Sequence, residues 1–258
     1  HAAVDRGVTY LDTAPVYQRA QKQLGQMLPE RRGEVFVVTK VLTAKAAEAL
    51  EILQQSLKDL RIDQVDLTYV HSVGDLDTDE VLGADGALEG LRQAQLRGWT
   101  RYLGFSAHNR PEKAARILQE TEVDVVMLGM NYADRFTYNF EEQVLPLAAA
   151  RNVGVAAMKV YGGAEAMKYE TSPTEPKKKS ALEAHGPHDH QTALRYALGL
   201  PGVTLAVVGI YNQTELDQNL AWAKEYTPLQ PTDLSLLDRE GQEIAAAWGA
   251  HYGPVRDD

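Results

Sequence analysis

The feature that most constrains the fold is a repeated alternation of short β-branched segments with longer segments of helical periodicity. The candidate strands are residues 8–12, 35–40, 65–71, 102–106, 125–130, 155–160 and 205–209. Between the second and third, Leu50, Leu53, Leu57 and Leu60 recur at helical spacing and predict one apolar helix face. Repeated strand–helix–strand units imply parallel strands joined by right-handed crossovers.

The pattern predicts an α/β fold, and over 258 residues the favoured architecture is a (β/α)8 barrel. A doubly wound open sheet is the alternative, but the G-x-G-x-x-G turn usual in such sheets is absent from the sequence. Residues 1–7 resemble the end of a helix that leads into the first visible strand. We therefore expect a single barrel domain over 1–258 that shows seven of eight strands and is incomplete at its N-terminus.

Composition excludes several classes of function. The formal net charge of −10 disfavours nucleic-acid binding, because phosphate backbones select basic surfaces. The absence of cysteine removes disulfides and thiolate metal sites and fits a reducing compartment. No apolar run approaches the length of a membrane span. We expect a soluble, cytoplasmic protein that acts on a small molecule, without a membrane or nucleic-acid partner.

One long interruption, residues 162–190, separates two of the predicted strands and is rich in Pro, Gly, Lys and His. Its composition fits a solvated loop. It also fits a flap over a ligand, in which Lys177, Lys178 and Lys179 supply positive charge. His185, His188 and His190 lack carboxylate or cysteine partners at ligand spacing, so no metal site is expected.

Polar side chains stand at the ends of the first three predicted strands: Asp12, Lys40 and His71, with Tyr17 on the loop after Asp12. Parallel barrel strands deliver their last residues to one face, so these side chains should converge. A buried lysine needs a counter-ion, and Asp12 is the available one. An ammonium near Tyr17 favours the phenolate and lowers the pKa of the phenol, which makes Tyr17 a candidate general acid.

The segments "GVTYLDTAPVY", "VFVVTK", "VDLTYVHS", "GWTRYLGFSAH" and "LGLPGVTLAVVGIYNQTELDQNL" have the order and approximate spacing typical of aldo-keto reductases. The chain resembles that family over nearly its whole length, and in particular a branch with "MK" at the seventh strand end. The resemblance implies a (β/α)8 barrel that uses NADPH, less often NADH, to reduce aldehydes and ketones. It implies that Tyr17 donates the proton and that Lys40 adjusts the pKa of the Tyr17 phenol. It also implies that Asp12 supports Lys40 and that His71 orients the substrate carbonyl.

The resemblance also implies cofactor residues at the later strand ends, with departures from the family pattern. Ser106 matches the serine that holds the nicotinamide carboxamide, while Ala107 replaces the usual asparagine and His108 is a substitute donor. The other positions are Met127 in place of a glutamine, Met158 in place of an aromatic residue, and the adjacent Lys159. Methionine can lie against a ring face as a soft, polarisable contact.

The last motif bears on whether the chain prefers NADP or NAD as its cofactor. Asn219 matches the adenine-contacting asparagine of the family, whereas Gly209 and Glu215 stand where NADP-preferring members often carry Lys or Arg. Asn212 and Glu215 also have the spacing of a helix capping box. We expect NADP as the cofactor, with NAD possible.

These residues favour an NAD(P)H-dependent carbonyl reductase. Two other classes remain open: a cofactor-binding regulatory or interaction subunit with little turnover, and an unrelated phosphate-ligand barrel that forms a Schiff base on Lys40. The substrate and the oligomeric state are not encoded in these motifs.

Overall fold

The computed structural model describes residues 1–164, 180–184 and 189–257. These residues divide into two compact units. The first comprises His1–Ala107 and Arg116–Val126, and the second comprises His108–Ala115 and Met127–Asp258. That residues 1–258 form a single barrel domain stays a prediction.

The strands occur where the sequence predicts them, with their ends shifted by a few residues. They are β1 (Tyr10–Asp12), β2 (Phe36–Val41), β3 (Val65–Val70), β4 (Thr100–Ala107), β5 (Val125–Gly129), β6 (Gly154–Met158) and β7 (Val203–Ala206). Their order in the sheet is their order in the chain. The pairs β1–β2, β2–β3, β3–β4 and β6–β7 are parallel, which confirms the predicted α/β class.

Helices connect the strands and flank them. They are α1 (Ala2–Asp5), α2 (Ala20–Leu24), α3 (Leu28–Arg31), α4 (Ala46–Leu60), α5 (Thr78–Leu82), α6 (Ala87–Leu96), α7 (Pro111–Glu120), α8 (Phe140–Gln143), α9 (Leu145–Ala150), α10 (Ala181–Ala184), α11 (His190–Gly199), α12 (Gln213–Lys224) and α13 (Pro231–Trp248). The helix predicted to precede the first strand is α1.

Helix α4 carries the apolar face that leucine spacing predicted, turned slightly from the expected stripe. Leu53, Leu57 and Leu60 are buried, but Leu50 lies at the edge of the face and Ala49 takes its place inside. Helix α6 packs close to the first turn of α4, where a Cβ at Gly90 would lie 2.7 Å from the Ala46 carbonyl oxygen.

In the first unit, burial rises from the edge of the sheet inward. All residues of β1 are half-buried, whereas every residue of β3 and all but the first of β2 are buried. Continuous burial is typical of parallel strands covered on both faces. Lys40 lies in this environment with 1% of its surface exposed.

In the second unit, aromatic and aliphatic side chains form the core against which α13 packs: Tyr132, Ala133, Leu182, Ala193, Tyr196, Leu237 and Ile244. Leu182 belongs to α10, which falls within the predicted interruption 162–190. That interruption is therefore not wholly a loop. Lys177, Lys178, Lys179, His185 and His188 lie outside the described residues.

Candidate active site

The carboxyl ends of β1 and β2 bring Asp12 and Lys40 together. Lys40 Nζ donates to Asp12 Oδ1 at 2.7 Å and to Oδ2 at 2.6 Å, and also to the Thr13 carbonyl oxygen at 3.0 Å. These oxygens compensate the loss of water around the ammonium, which burial would otherwise make costly. The predicted ion pair is present.

Tyr17 and His71 complete the group in the first unit. Lys40 Nζ lies 4.7 Å from the centroid of the Tyr17 ring. The rings of Tyr17 and His71 have centroids 6.1 Å apart and meet edge to face at 88°. Tyr17 is 42% exposed and His71 only 7%, so the phenol is the accessible member of the group.

A pair of phenols lies on the same side of the sheet as the ion pair. Tyr10 precedes Asp12 by two residues in β1, and Tyr69 is the register partner of Lys40, so their side chains share a face with that pair. Tyr10 Oη and Tyr69 Oη are hydrogen-bonded at 3.1 Å. Burial is the main cause that raises the pKa of both phenols, and the Asp12 carboxylate raises it further. Both therefore stay neutral.

Ser106, the predicted carboxamide residue, lies at the end of β4 and is fully buried. Its Oγ accepts a hydrogen bond from the backbone N–H of Ser72 at 3.0 Å, the residue after His71. A hydroxyl that accepts can still donate its own hydrogen. The hydrogen of the Ser106 hydroxyl is therefore not used in the bond to Ser72. Sequence reasoning missed Ser72, whose left-handed φ of 55° leaves no sequence signature.

In the second unit, the predicted cofactor residues of β5 and β6 adjoin a hydrogen-bonded turn. Met127 and Met158 are buried, and the Met158 carbonyl accepts from Met130 N–H at 2.9 Å. Lys159 follows with a left-handed φ of 57°, and its carbonyl accepts from Asn131 Nδ2 at 3.1 Å. This unusual backbone conformation costs on the order of 1 kcal/mol and fixes the direction of the chain at the strand end.

The segment after α13 carries a residue that sequence reasoning missed. The Tyr252 ring lies 6.0 Å from the His108 ring, centroid to centroid, and 5.9 Å from Lys159 Nζ. Its carbonyl accepts from Asn109 Nδ2 at 2.8 Å. Tyr252 thus contacts two predicted cofactor residues. Because these contacts span more than 90 residues of chain, local pattern could not have found them.

Buried Asp134 anchors the same segment. Asp134 Oδ1 bonds His251 Nε2 at 2.8 Å, and Oδ2 accepts from Asn131 Nδ2 at 2.6 Å. The Tyr252 backbone N–H donates to Tyr138 Oη at 2.7 Å. At the far end, Asp257 pairs with Arg110 at 2.7 Å. We call residues 249–257 the C-terminal strap.

Gly209, Glu215 and Asn219 lie at and after β7. Gly209 is exposed, with no atom within 4 Å of the position a Cβ would take. Asn212 caps α12 as predicted, accepting from Glu215 N–H at 2.9 Å. The Glu215 carboxylate accepts from Tyr211 N–H at 2.9 Å, one residue before the position a capping box uses.

The Asn219 amide is already engaged. Its Oδ1 accepts from the Tyr161 hydroxyl at 2.5 Å, and its Nδ2 donates to the Glu215 carbonyl at 2.8 Å. Each amide atom keeps capacity for one further hydrogen bond. Burial raises the pKa of the Tyr161 phenol, so it remains a donor.

Two findings concern other ligands. Within the described residues, no group of three or more His, Cys, Asp and Glu could hold a metal ion. His190 instead bonds Ser180 Oγ through Nε2 at 2.9 Å. Of the helices in 1–164, 180–184 and 189–257, none combines the length and apolar character needed to cross a membrane.

Comparison with known proteins assigns the family. The model of the Aldo/keto reductase family matches residues 1–240. The chain belongs to the aldo/keto reductase family, and this membership supports an NAD(P)H-dependent carbonyl reductase that uses NADP(H). The resemblance stated from the sequence motifs is confirmed.

The curated relatives are distant in sequence. Methylglyoxal reductase DkgB of Salmonella typhimurium is 27% identical over 206 residues, covering 76% of this chain and 71% of its own. The uncharacterized oxidoreductase YqkF of Bacillus subtilis is 25% identical over 169 residues, covering 60% and 52%. The chain thus spans between about half and three quarters of the length of these relatives.

Solved structures confirm the fold. Aldo-keto reductase AKR11C1 of Bacillus halodurans, in its holo form, superimposes with a TM-score of 0.70 at 22% identity, covering 98% of this chain and 88% of its own. An aldo-keto reductase of Klebsiella pneumoniae in complex with NADP and acetate gives a TM-score of 0.71 at 23% identity, covering 93% and 83%. The fold is consistent with an incomplete (β/α)8 barrel of the family, and the part of the chain that the structure describes contains seven of its strands.

Proposed function

We propose that this chain is an NAD(P)H-dependent oxidoreductase that reduces aldehydes or ketones to alcohols, with Tyr17 as the proton donor. The observation that carries the proposal is the position of the Lys40 ammonium, held by both Asp12 oxygens and 4.7 Å from the Tyr17 ring centroid. A positive charge beside a phenol stabilises the phenolate that remains after proton transfer. Membership of a reductase family supports the same chemistry.

Each member of the group has a distinct role in this proposal. Asp12 keeps Lys40 charged and fixed. Tyr17, the exposed member, gives its proton to the carbonyl oxygen, on which negative charge develops during reduction. His71 offers a second hydrogen bond to that oxygen and orients it. The nicotinamide, when bound, supplies the hydride.

Each of the two units contributes candidate contacts for the nicotinamide end of the cofactor in this proposal. The Ser106 hydroxyl can donate to a carboxamide oxygen while it accepts from Ser72 N–H. His108 and Lys159 are proposed as further polar contacts, and Met127 and Met158 as apolar ones. Tyr252 is added to this set because it touches both His108 and Lys159.

The residues proposed to contact the adenosine end of the cofactor discriminate weakly between NADP(H) and NAD(H). Gly209 leaves open space, and Asn219 can make one more hydrogen bond per amide atom. The Glu215 carboxylate occupies the amino end of α12, where a phosphate would otherwise be favoured. We therefore propose NADP(H) as the cofactor, with weak discrimination against NAD(H).

The two other classes are less well supported. A Schiff base needs a neutral amine, whereas Lys40 donates three hydrogen bonds to oxygen acceptors in the arrangement of an ammonium. A non-catalytic cofactor-binding subunit would not require an exposed phenol beside a buried lysine.

The test is the reduction of methylglyoxal, which is monitored as the loss of NADPH absorbance. Methylglyoxal is chosen because one relative is named a methylglyoxal reductase. Tyr17→Phe should abolish turnover while it retains cofactor binding, measured by fluorescence titration. The matched control is Tyr102→Phe, which removes a hydroxyl at the opposite end of a strand and keeps the ring stacked on Phe36. Full activity in Tyr17→Phe would refute the role of the phenol.

The expected substrate is a small carbonyl compound. We propose a cytoplasmic location for the activity, and the absence of cysteine is compatible with that reducing compartment.

A further inference from the structure

A cleft of about 480 Å³ opens in the first unit at the amino ends of β3 and β4. Its walls are the last turns of α4, the turn from α4 into β3 and the turn from α6 into β4. Lys40, His71 and Ser106 lie at the carboxyl ends of their strands. The cleft is therefore on the other edge of the sheet from the proposed catalytic group.

Three cations line the cleft: Lys58, Arg61 and Arg97. None makes an ion pair or side-chain hydrogen bond to another described residue, in contrast to Arg31, Arg32, Arg92, Arg101 and Arg116 of the same unit, which all pair with carboxylates. Asp63 is the one carboxylate among the residues that line the cleft. The lining therefore carries an excess of two positive charges in a chain of net charge −10.

Backbone carbonyls near the ends of α4 and α6 accept hydrogen bonds from groups other than these three cationic side chains. The Lys58 and Leu57 carbonyls accept from the N–H groups of Arg61 and Ile62, each at 3.2 Å. The Gly98 carbonyl accepts from Gln64 Nε2 at 2.7 Å. The side-chain charges are therefore not occupied in capping these groups.

Gln54 adds a polar amide to the lining, and three further lining residues are apolar. Leu57 is buried, Ile62 and Trp99 are half-buried, and all three line the cleft. The Arg97 guanidinium carbon lies 5.1 Å from the Trp99 ring centroid. Left-handed backbone at Arg61 (φ 56°) and Gly98 (φ 74°) turns both chains sharply here. A ligand would meet apolar surface and cationic side chains together.

We propose that this cleft binds a small organic anion in which a planar ring is joined to a phosphate or carboxylate group. The ring packs against Leu57, Ile62 and Trp99, and the anionic group pairs with Arg61, Arg97 and Lys58. The cleft volume falls within the range of small-molecule sites, about 300–1,000 Å³. Arginine side chains suit both parts of such a ligand, because the guanidinium forks onto anions and stacks on rings.

Phenyl phosphate is the test probe, and the NMR signal of the Trp99 indole N–H, assigned with Trp99→Phe, is the readout. Saturable movement of that signal is expected, with weaker binding as salt screens the charges. Inorganic phosphate and phenol, each carrying half of the proposed chemistry, should bind more weakly than phenyl phosphate. An unmoved Trp99 signal overturns the proposal, whatever the reductase activity.

The variant Arg61→Gln with Arg97→Gln should weaken phenyl phosphate binding by about tenfold. Arg239→Gln is the matched control, because Arg239 is exposed on α13 and outside the cleft. A thermal unfolding midpoint equal to that of the parent protein shows that the double variant is folded. Equal affinity in the double variant and the control contradicts the proposed contacts.

Discussion

Lys40 Nζ contacts both carboxylate oxygens of Asp12, at 2.7 and 2.6 Å, in an interior where the lysine is 1% exposed. The Thr13 carbonyl at 3.0 Å supplies a third acceptor. With three acceptors for its three hydrogens, the ammonium has a single arrangement. The charge next to Tyr17 is therefore held at a fixed distance.

Lys40→Met should lower the free energy of unfolding by about 3–5 kcal/mol at neutral pH, because it leaves the Asp12 carboxylate without its counter-ion in a buried site. Urea denaturation measures the loss. Lys45→Met is the control, since Lys45 is 65% exposed and pairs with Glu48 at 3.7 Å, and should change stability by less than about 1 kcal/mol. Similar losses in the two variants would show that the ion pair contributes little.

Glu215→Gln should raise the affinity for NADPH relative to NADH by about fivefold, because it removes a carboxylate that repels the 2′-phosphate carried only by NADPH, an effect of roughly 1 kcal/mol. Glutamine can still accept from Tyr211 N–H, so the cap is retained. Titration of each cofactor against protein fluorescence gives the ratio. Glu225→Gln, at the other end of α12, is the control. An unchanged ratio of NADPH to NADH affinity in Glu215→Gln would show that Glu215 does not influence the cofactor preference.

The convergence of the proposed catalytic group could be predicted because each member ends or follows a strand, and strand ends of parallel sheets converge. Asp12 and Lys40 met this expectation. Tyr10 and Tyr69 carried the same signal, since each stands two residues before a predicted site residue and so faces the same side, but aromatic residues in strands are too common to single out.

Contacts made over long stretches of chain could not be predicted. Tyr252 reaches His108 and Lys159 only because α13 returns the chain to the strand ends, and no local pattern encodes that return. The Glu215 side chain was predicted to complete a capping box at Asn212, but it bonds Tyr211 N–H. Sequence spacing gives the residues of a cap, whereas the loop conformation decides which N–H is in reach.

Glu141 should make stability depend on pH. Burial is the main cause that raises the pKa of Glu141, while the Tyr196 hydroxyl at 2.7 Å and the charge of Arg135 lower it. A raised folded pKa means that the folded state binds the proton more tightly. The resulting stabilisation is fully present below the unfolded value of about 4.5 and is lost as pH rises through the folded pKa.

Glu141→Gln should therefore unfold at higher urea concentration than the parent protein at neutral pH. The gain is on the order of 1 kcal/mol and should vanish toward acid pH. Urea denaturation across a pH series measures it. For Glu142→Gln, at the exposed neighbouring position, the difference in unfolding free energy from the parent protein should not change with pH. A difference between Glu141→Gln and the parent protein that stays constant across the pH series would contradict the prediction.

Tyr138→Phe should loosen the C-terminal strap. The Tyr138 hydroxyl accepts from Tyr252 N–H at 2.7 Å and donates to the Gly253 carbonyl at 3.1 Å. Loss of both leaves a buried N–H unsatisfied, at a cost of about 1–3 kcal/mol. Faster amide hydrogen exchange in residues 249–257 is expected, whereas Tyr226→Phe, which removes a hydroxyl without a described hydrogen bond, should leave exchange unchanged.

The bond between His251 and Asp134 joins positions 117 residues apart. During synthesis Asp134 leaves the ribosome long before residue 251 exists, and its Oδ1 can meet only water or transient neighbours in that interval. The loop that follows β5 therefore acquires its final hydrogen bonds late, after α13 has been made. The bond between Asp134 and His251 therefore forms only after α13 has been synthesised.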